Sequence, residues 1–471
     1  MAESRLPRVL AVALLGAAGL SGCFVSQVSV DRPEMPLPDA LPAPATATIE
    51  LPDPWWQVFG DPVLNQLMDE AMAHNADVAL AAARVLEARA VLGQANAERW
   101  PAVTIAGSAS RQVDSVAAGQ FPDAGIERDS FSVQGVVTYE LDLWGRYSRL
   151  SESARARLLT SEFDRDTVRL SLTGDVARAY YALIAASEQL DRANETLAAR
   201  RESVAIEQLR FEAGESDEAT LRRTEAEASA AESAAQQFEL EVAQLSNGLG
   251  LLLGRSPREL MTSAYEVDGT RLREPPALPA GLPSSVLERR PDVRAADAAL
   301  VAAAADIGVA RTNLFPQISL TGSFGSASQD LADLFTNPAE QWSLAAGLLQ
   351  PVFQAGRLRA EVDRVEALRM QRQAEYVRTV QSAFRDVLDS LRGQELLSDI
   401  SESIADRERA LARAAELSEL RYSAGEIDYL ELLDVRRSLF QAQIASVGAQ
   451  RDALTNTVNL ALALGGGVPK P

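Results

Sequence analysis

Residues 131–146 read FSVQGVVTYELDLWGR, and two kinds of periodicity meet in them. Phe131, Val133, Gly135, Val137, Tyr139 and Leu141 alternate with Ser132, Gln134, Val136, Thr138 and Glu140. A period of two with one apolar face is the pattern of a half-buried or lipid-facing strand. From Tyr147 to Phe211 there is then no proline, and Gly174 is the only glycine. Val176, Leu183, Leu190, Leu197, Val204 and Phe211 recur every seven residues, the seam of a coiled coil. About 65 residues at about 1.5 Å each make a helix near 100 Å long.

The same order occurs twice. Gly214 in RFEAGE and Gly425 in RYSAGE lie 211 residues apart, as do Arg146 and Arg357, and Gly254 and Gly465. Upstream the offset is 215, between Pro101 in RWPAVTIAGS and Pro316 in LFPQISLTGS. The first copy is therefore four residues longer there, which a surface loop absorbs. A unit this long exceeds solenoid periods, so the chain reads as two pseudo-equivalent halves of one architecture. The glycines at 214 and 425 turn each long helix back into a hairpin. The return helices carry heptads at Leu221, Ala228, Ala235, Val242 and Leu249, and at Leu432, Leu439, Ser446, Ala453 and Leu460. In the other long helix, from Leu358 to Tyr422, Val377, Phe384 and Leu391 hold the register before it slips.

Arg5 and Arg8 precede an apolar run from Val9 to Leu20, and Leu20-Ser21-Gly22-Cys23 follows. The basic start, short apolar core and small residues form a secretory signal. Twelve residues are too few for a spanning helix, which needs about 20. Leu-Ser-Gly-Cys resembles the lipobox of bacterial lipoproteins, in which the cysteine thiol is acylated. Cys23 is the only cysteine, so an intramolecular disulfide is excluded and the residue suits an anchor. Phe24 and Val25, with no Asp after the cysteine, resemble an outer-membrane address. Pro33, Pro36, Pro38, Pro42, Pro44, Pro52 and Pro54 make the next stretch an extended tether.

The chain carries a formal charge of −21, or −22 once residues 1–22 with Glu3, Arg5 and Arg8 are removed. Such acidity argues against nucleic-acid binding, which needs clustered basic surface. His74 is the only histidine, and there is no Cys pair and no phosphate-cradling glycine loop followed by Lys-Ser/Thr. No catalytic residue, cofactor or metal site is therefore assigned. The six methionines do not cluster, so nothing favours a copper-export role.

Three further stretches alternate like 131–141. These are Val103 and Ile105; Ile318, Leu320, Gly322 and Phe324; and Trp342, Leu344, Ala346 and Leu348. A soluble sheet would alternate too, and a long structural coiled coil would account for the helices without any pore. Four strands cannot close a barrel, and an open edge cannot sit in lipid. Strands must then be borrowed from other copies. Two copies give eight strands and a filled interior; three give twelve and a lumen. Three copies would also gather twelve long helices into a tube.

LPSSVLERRPDVRAAD (282–297), TNLFPQISLTGSFG (312–325), YELDLWGR (139–146) and RYSAGEIDYLELLDVRR (421–437) resemble the hallmark segments of the TolC-like outer-membrane factors. Within that family the chain resembles the lipidated efflux branch typified by OprM and NodT, with TolC a more distant relative. One departure is Gln354-Ala355, where many relatives carry Asp-Gly. The resemblance implies a mainly α protein with membrane β: a homotrimer with a twelve-strand β-barrel in the bacterial outer membrane, continued by a twelve-helix α-barrel in the periplasm. It implies a passive exit duct of a tripartite efflux system. The partners would be a periplasmic adaptor and an inner-membrane pump of the resistance-nodulation-division type. It also implies a periplasmic gate with Leu430 as an apolar ring and Asp434, one turn on, as a carboxylate ring. Arg437 would tie helices through acidic partners, or else form an ordinary surface pair with Asp434. The first tip has Ala219 and Arg223 in the matching places.

The expected organisation is a signal peptide (1–22), a lipid-anchored tether (23–54), a first repeat (55–254), a linker (255–284), a second repeat (285–466) and a tail (467–471). The first repeat would hold strands at about 102–112 and 130–142 and helices at about 147–212 and 217–253. The second would hold strands at about 316–326 and 340–350 and helices at about 358–423 and 427–464. Other readings are a non-conducting envelope tether and a protein-secretion conduit; the alternating strands oppose the first and the lipobox with the family motifs the second. If Cys23 is the anchor, mass spectrometry of the mature protein should find residue 23 at the N-terminus carrying acyl chains. An unmodified chain beginning elsewhere contradicts the assignment.

Overall fold

The computed structural model describes residues 28–33, 52–118, 125–262, 267, 270–276 and 288–466. Cys23, the signal, most of the tether, part of the linker and the tail lie outside the described residues. Eight α-helices are described: α1 (Pro62–His74), α2 (Ala76–Ala97), α3 (Arg146–Glu212), α4 (Glu218–Leu252), α5 (Pro257–Thr262), α6 (Pro291–Thr312), α7 (Arg357–Ser423) and α8 (Tyr429–Ala463). The strands are β1 (Ala102–Val113), β2 (Glu127–Glu140), β3 (Gln317–Ser328) and β4 (Glu340–Leu349). The chain divides into two compact units. One comprises Met1–Pro33, Val85–Ser161 and Ala296–Tyr376; the other comprises Glu34–Arg84, Glu162–Ala295 and Val377–Pro471.

In the first unit the strands form one antiparallel sheet in the order β1-β2-β3-β4. Its register puts most of the large apolar side chains on one face and the hydroxyls on the other, with the Arg111–Asp129 ion pair at the far end of the apolar face. Ile105, Val137, Phe324 and Leu344 fall on one face, with Val103, Leu320, Trp342 and Leu348. Thr104, Ser108, Ser132, Thr138, Thr321, Ser323 and Ser343 fall on the other, where hydroxyls pair across strands at 2.8 Å between Ser108 and Ser132 and between Ser323 and Ser343. The apolar face is not covered by the described residues: Ile105 is 84% exposed and Leu344 78%. Every residue of the edge strands β1 and β4 is exposed, whereas most residues of β2 and β3 are partly covered. Among the described residues no helix is long and apolar enough to cross a membrane.

β2 ends earlier than the expected residue 142, because the chain after Glu140 turns to start α3. Leu141 donates its N–H to the Ile318 carbonyl at 2.9 Å, and Asp142 then caps α3 by accepting from the backbone N–H groups of Tyr147 and Ser148. Trp144 closes this corner: its indole packs on Phe315 at 5.0 Å and donates to the Pro316 carbonyl at 2.7 Å. Before α7 the matching residues are Phe353 and Ala355. Ala355 has φ 48°, a conformation that costs an L-residue roughly 1–2 kcal/mol over glycine. In the same unit the described part of the tether is tied down, with Arg32 paired to Asp297 at 2.6 Å and Gln373 donating to the Asp31 carbonyl.

In the second unit the duplication shows in how helices end. The four long helices α3, α4, α7 and α8 end at Gly214, Gly254, Gly425 and Gly465, with φ between 75° and 85°. Each end closes with the same hydrogen-bond pair, as in Glu215 N–H to Arg210 O and Gly214 N–H to Phe211 O. This is the Schellman motif, which glycine favours because it needs a left-handed residue. The roots of the hairpins match as well. The Asn75 side-chain amide donates to the Leu252 carbonyl at 2.9 Å, and the Arg290 guanidinium donates to the Ala463 carbonyl at 3.3 Å. These pairs are related by the offsets 215 and 211. In the first copy the link is neutral; in the second Arg290 also binds Asp292 at 2.8 Å and Asp386 at 3.4 Å. Burial works against the Arg290 charge, but its bonds to Asp292 and the charge of Asp386 outweigh that and raise its pKa.

The α3 seam changes character along its length. Val176, Leu183, Ala186 and Ala193 are buried, and the next positions at heptad spacing are Arg200 and Glu207, also buried. Arg200 Nη1 has no hydrogen-bond partner, which is costly in a buried place. Leu197 and Val204, expected on the seam, are half-buried, and Phe211 is 38% exposed. Packing is thus driven by apolar contact near the root and weakens toward the tip. The helices α1, α2 and α6 were not separated out by periodicity. In α2 and α6 alanine recurs on every side, so no apolar stripe marks a face.

Gly325 and Gly322 of β3 set up a discriminating pair of substitutions. A Cβ at Gly325 would lie 2.2 Å from the Val133 carbonyl oxygen, whereas at Gly322 the nearest atom is 3.8 Å away. Gly325→Ala should therefore destabilise the sheet by about 1–3 kcal/mol and lower its heat-modifiable melting on gels. Gly322→Ala should melt like the parent. Equal behaviour of the two contradicts the β2–β3 register.

Candidate functional site at the hairpin tips

The two tips are built on one plan. After the Schellman end at Gly214 or Gly425 the chain reaches Asp217 or Asp428, whose carboxylate accepts from the N–H of Thr220 or Glu431 at 2.9 Å. These N-caps start α4 and α8, so the turn is fixed at both ends by hydrogen bonds rather than by bulk. The Thr220 backbone N–H, followed by its hydroxyl, holds the Asp217 carboxyl below the usual carboxylate range.

On this common frame the side chains differ. Leu430 is the second residue of α8 and is 46% exposed, and Asp434 is exposed one turn later on the same face. Ala219 and Arg223 occupy these places on α4. From residue 426 to 434 the second tip holds Glu426, Asp428, Glu431 and Asp434 with no Lys or Arg. The matching residues 215–223 hold Glu215, Asp217 and Glu218 against Arg222 and Arg223. Local charge is therefore −4 at one tip and −1 at the other. Asp434 makes no hydrogen bond or ion pair with the described residues, and its carboxylate is open to solvent. Arg437 does not pair with Asp434. It forms an ion pair with Glu227 of α4, which joins the two hairpins.

Several tip contacts were not singled out by the sequence. Arg436 pairs with Glu419 between α8 and α7. Arg210 donates to the Tyr422 hydroxyl at 3.0 Å, linking α3 to α7, and the Tyr422 and Tyr429 rings lie 5.8 Å apart across the turn. The Tyr429 hydroxyl is buried without a partner. The signal was present in the doubled Arg-Phe/Tyr before each Ala-Gly-Glu, which marks the repeat and, at Phe211, the end of the heptad seam. Exposed pairs like these are worth about 0–1 kcal/mol each, so the tips are held by many weak ties. His74 ends α1 on the surface, and among the described residues no His, Cys, Asp and Glu group is placed to hold a metal ion.

A long helical hairpin, present twice, and a four-stranded sheet whose apolar face the described residues leave open are the parts of a membrane-inserted duct. The model of the outer membrane efflux protein family matches residues 67–255 and again residues 282–466, one match for each repeat. The chain belongs to that family. It is 35% identical over 413 residues to the toluene efflux pump outer membrane protein TtgC of Pseudomonas putida, covering 88% of this chain and 85% of that one. It is 32% identical over 459 residues to the cation efflux system protein CusC of Escherichia coli, covering 96% and 98%. The crystal structure of CusC superposes with a TM-score of 0.80 at 31% identity, over 92% of this chain and 98% of that one. The outer-membrane channel OprN gives 0.82 at 28% identity, over 93% and 99%.

Proposed function

We propose that this chain is the outer-membrane exit duct of a tripartite efflux system, working as a homotrimer that a periplasmic adaptor and an inner-membrane pump feed with small molecules. The observation that carries this reading is the open sheet: two free edges and an apolar face with none of the described residues over it, in a chain whose family is that of outer-membrane efflux proteins. Strands in the outer membrane and helices in the periplasm follow from it. Three copies supply twelve strands, enough for a lumen. The duct does no chemistry on its cargo, and its energy comes from its partners. TtgC is named for toluene and CusC for cations, so one architecture serves cargoes with no shared recognition chemistry. Cargo choice therefore belongs to the pump. Acylation of Cys23 would hold the chain at the membrane from outside the described residues, in addition to its strands.

The periplasmic gate is assigned to Leu430 and Asp434, with Arg437 as its tie. Three Leu430 side chains form an apolar constriction and three Asp434 carboxylates face one another beside it. Mutual repulsion and the −4 charge of each second tip favour cations over anions there. The Arg437–Glu227 pair holds the second hairpin against the first and so keeps the mouth narrow.

Planar-bilayer recordings test this assignment. Asp434→Ala with Leu430→Ala should raise resting conductance at least about twofold, since it removes both constrictions. Asp434→Ala alone should mainly move the reversal potential toward zero selectivity. Arg437→Ala alone should open the mouth less than the double change, because one exposed pair contributes only about 0–1 kcal/mol. Parent-like conductance in the double variant, with opening by changes at Ala219 or Arg223, would place the gate in the other repeat.

A further inference from the structure

We propose that the free edge of β4 pairs antiparallel with β1 of a second copy of this chain in one fixed register, in which the numbers of facing residues add to 455. The proposal rests on the shared-barrel reading above and goes further by fixing which residues meet. Its basis is that the duplication already reproduces one strand pairing inside the chain. Facing residues of β1 and β2 add to 240, as in Ala102 with Thr138. Moving β1 to β3 by 215 and β2 to β4 by 211 requires a sum of 666 for β3 with β4. Gln317 faces Leu349, which is that sum.

The junction between the two repeats, β2 with β3, is the internal counterpart of the junction between copies. Thr138 faces Thr321, a sum of 459. Raising the β2 partner by 211 gives a β4 residue, and lowering the β3 partner by 215 gives a β1 residue, so the sum becomes 455. Ala345 then faces Ser110, Leu348 faces Gly107 and Ala355 faces Trp100. The side chains agree with this. Leu348 against Gly107 repeats Val137 against Gly322 within the chain. Leu344 and Leu348 stay on the face that carries Ile105, and Ser343 and Ala345 on the face that carries Ser108. A shift of one residue would put the apolar side chains of one copy on the hydroxyl face of the next. Trp100 is the repeat equivalent of Phe315, which Trp144 covers at 5.0 Å. It is 75% exposed in the single chain, and this register lays the neighbour's residues 352–355 over it.

The hydrogen-bond phase transfers as well. Leu141 donates to Ile318, so that pair is a hydrogen-bonded one, and alternation along the ladder makes Ser132 with Ala327 a non-hydrogen-bonded pair in which both residues carry a Cβ. Its counterpart between copies is Ser343 with Gln112. Non-hydrogen-bonded pairs have Cα atoms about 4.5 Å apart, within the roughly 4.4–6.8 Å that a disulfide spans. Within one chain β1 and β4 are three strand spacings apart, about 14 Å, so residues 112 and 343 cannot be bridged there.

The test is oxidative cross-linking of the full-length chain in outer membranes. Q112C with S343C should yield covalent dimers and closed covalent trimers on non-reducing gels. S108C with G347C, a second pair of the same sum and the counterpart of Ser323 with Val136, should do so too and guards against misfolding of either variant. S108C with A345C and Q112C with A345C, whose sums are 453 and 457, should cross-link at least about tenfold less, since diagonal partners lie about 7–8 Å apart. Preferential cross-linking of a 453 or 457 pair overturns the register while leaving the shared barrel in place. If no cysteine pair reacts and native mass spectrometry of the same extract also shows only single chains, the shared barrel falls and the register with it.

Discussion

A β-strand edge in lipid has no water to satisfy its N–H and C=O groups, and this one constraint organises the molecule. The four strands satisfy each other's inner edges but leave β1 and β4 bare, and among the described residues nothing covers their apolar face. A soluble protein would blunt such edges with charge or bury the face under a helix. Here Ile105, Leu344 and Leu348 stand exposed. The sheet is therefore a fragment of a larger closed one, and the single chain is an incomplete folding unit.

Duplication is the economical answer to that constraint. One hairpin of strands and one hairpin of helices, used twice, gives a chain whose internal junction is a template for the junction between copies. The equivalence holds wherever geometry is set by backbone: the Schellman ends, the N-caps at Asp217 and Asp428, and the strand registers. It relaxes where side chains act on the outside world. The first root is closed by a neutral amide, Asn75, and the second by Arg290 with two carboxylates. The first tip is nearly neutral and the second carries four acidic groups. The second tip is thus more acidic than the first, while both roots hold an arginine–carboxylate pair, Arg255 with Glu70 and Arg290 with Asp292. Along the seam, burial of Arg200 and Glu207 makes the tip less stably packed than the root.

Much of this was legible in the sequence because its signals are periodic. The strand at 131–141 and the helix that follows announce themselves by a switch from period two to heptads, and the glycines at 214 and 425 mark the turns. What was not legible had no period. Alanine-rich α2 and α6 present no apolar stripe, and the capping work of Asp142 depends on a corner seen only in three dimensions. At the tip, Leu430 and Asp434 were placed by family resemblance, since an exposed Leu and Asp on a helix are ordinary in themselves. The partner of Arg437 was beyond reach, because Glu227 is distant in sequence and the nearer Asp434 was an equally good candidate by spacing.

The most direct measurement is the mass of the detergent-extracted protein by native mass spectrometry. If the bare edges of β1 and β4 are satisfied by other copies, the particle should weigh three mature chains and hold together until the sheet melts. A stable, monodisperse single chain would mean that its edges need no partner, and the account of the fold and of the duct would fail together.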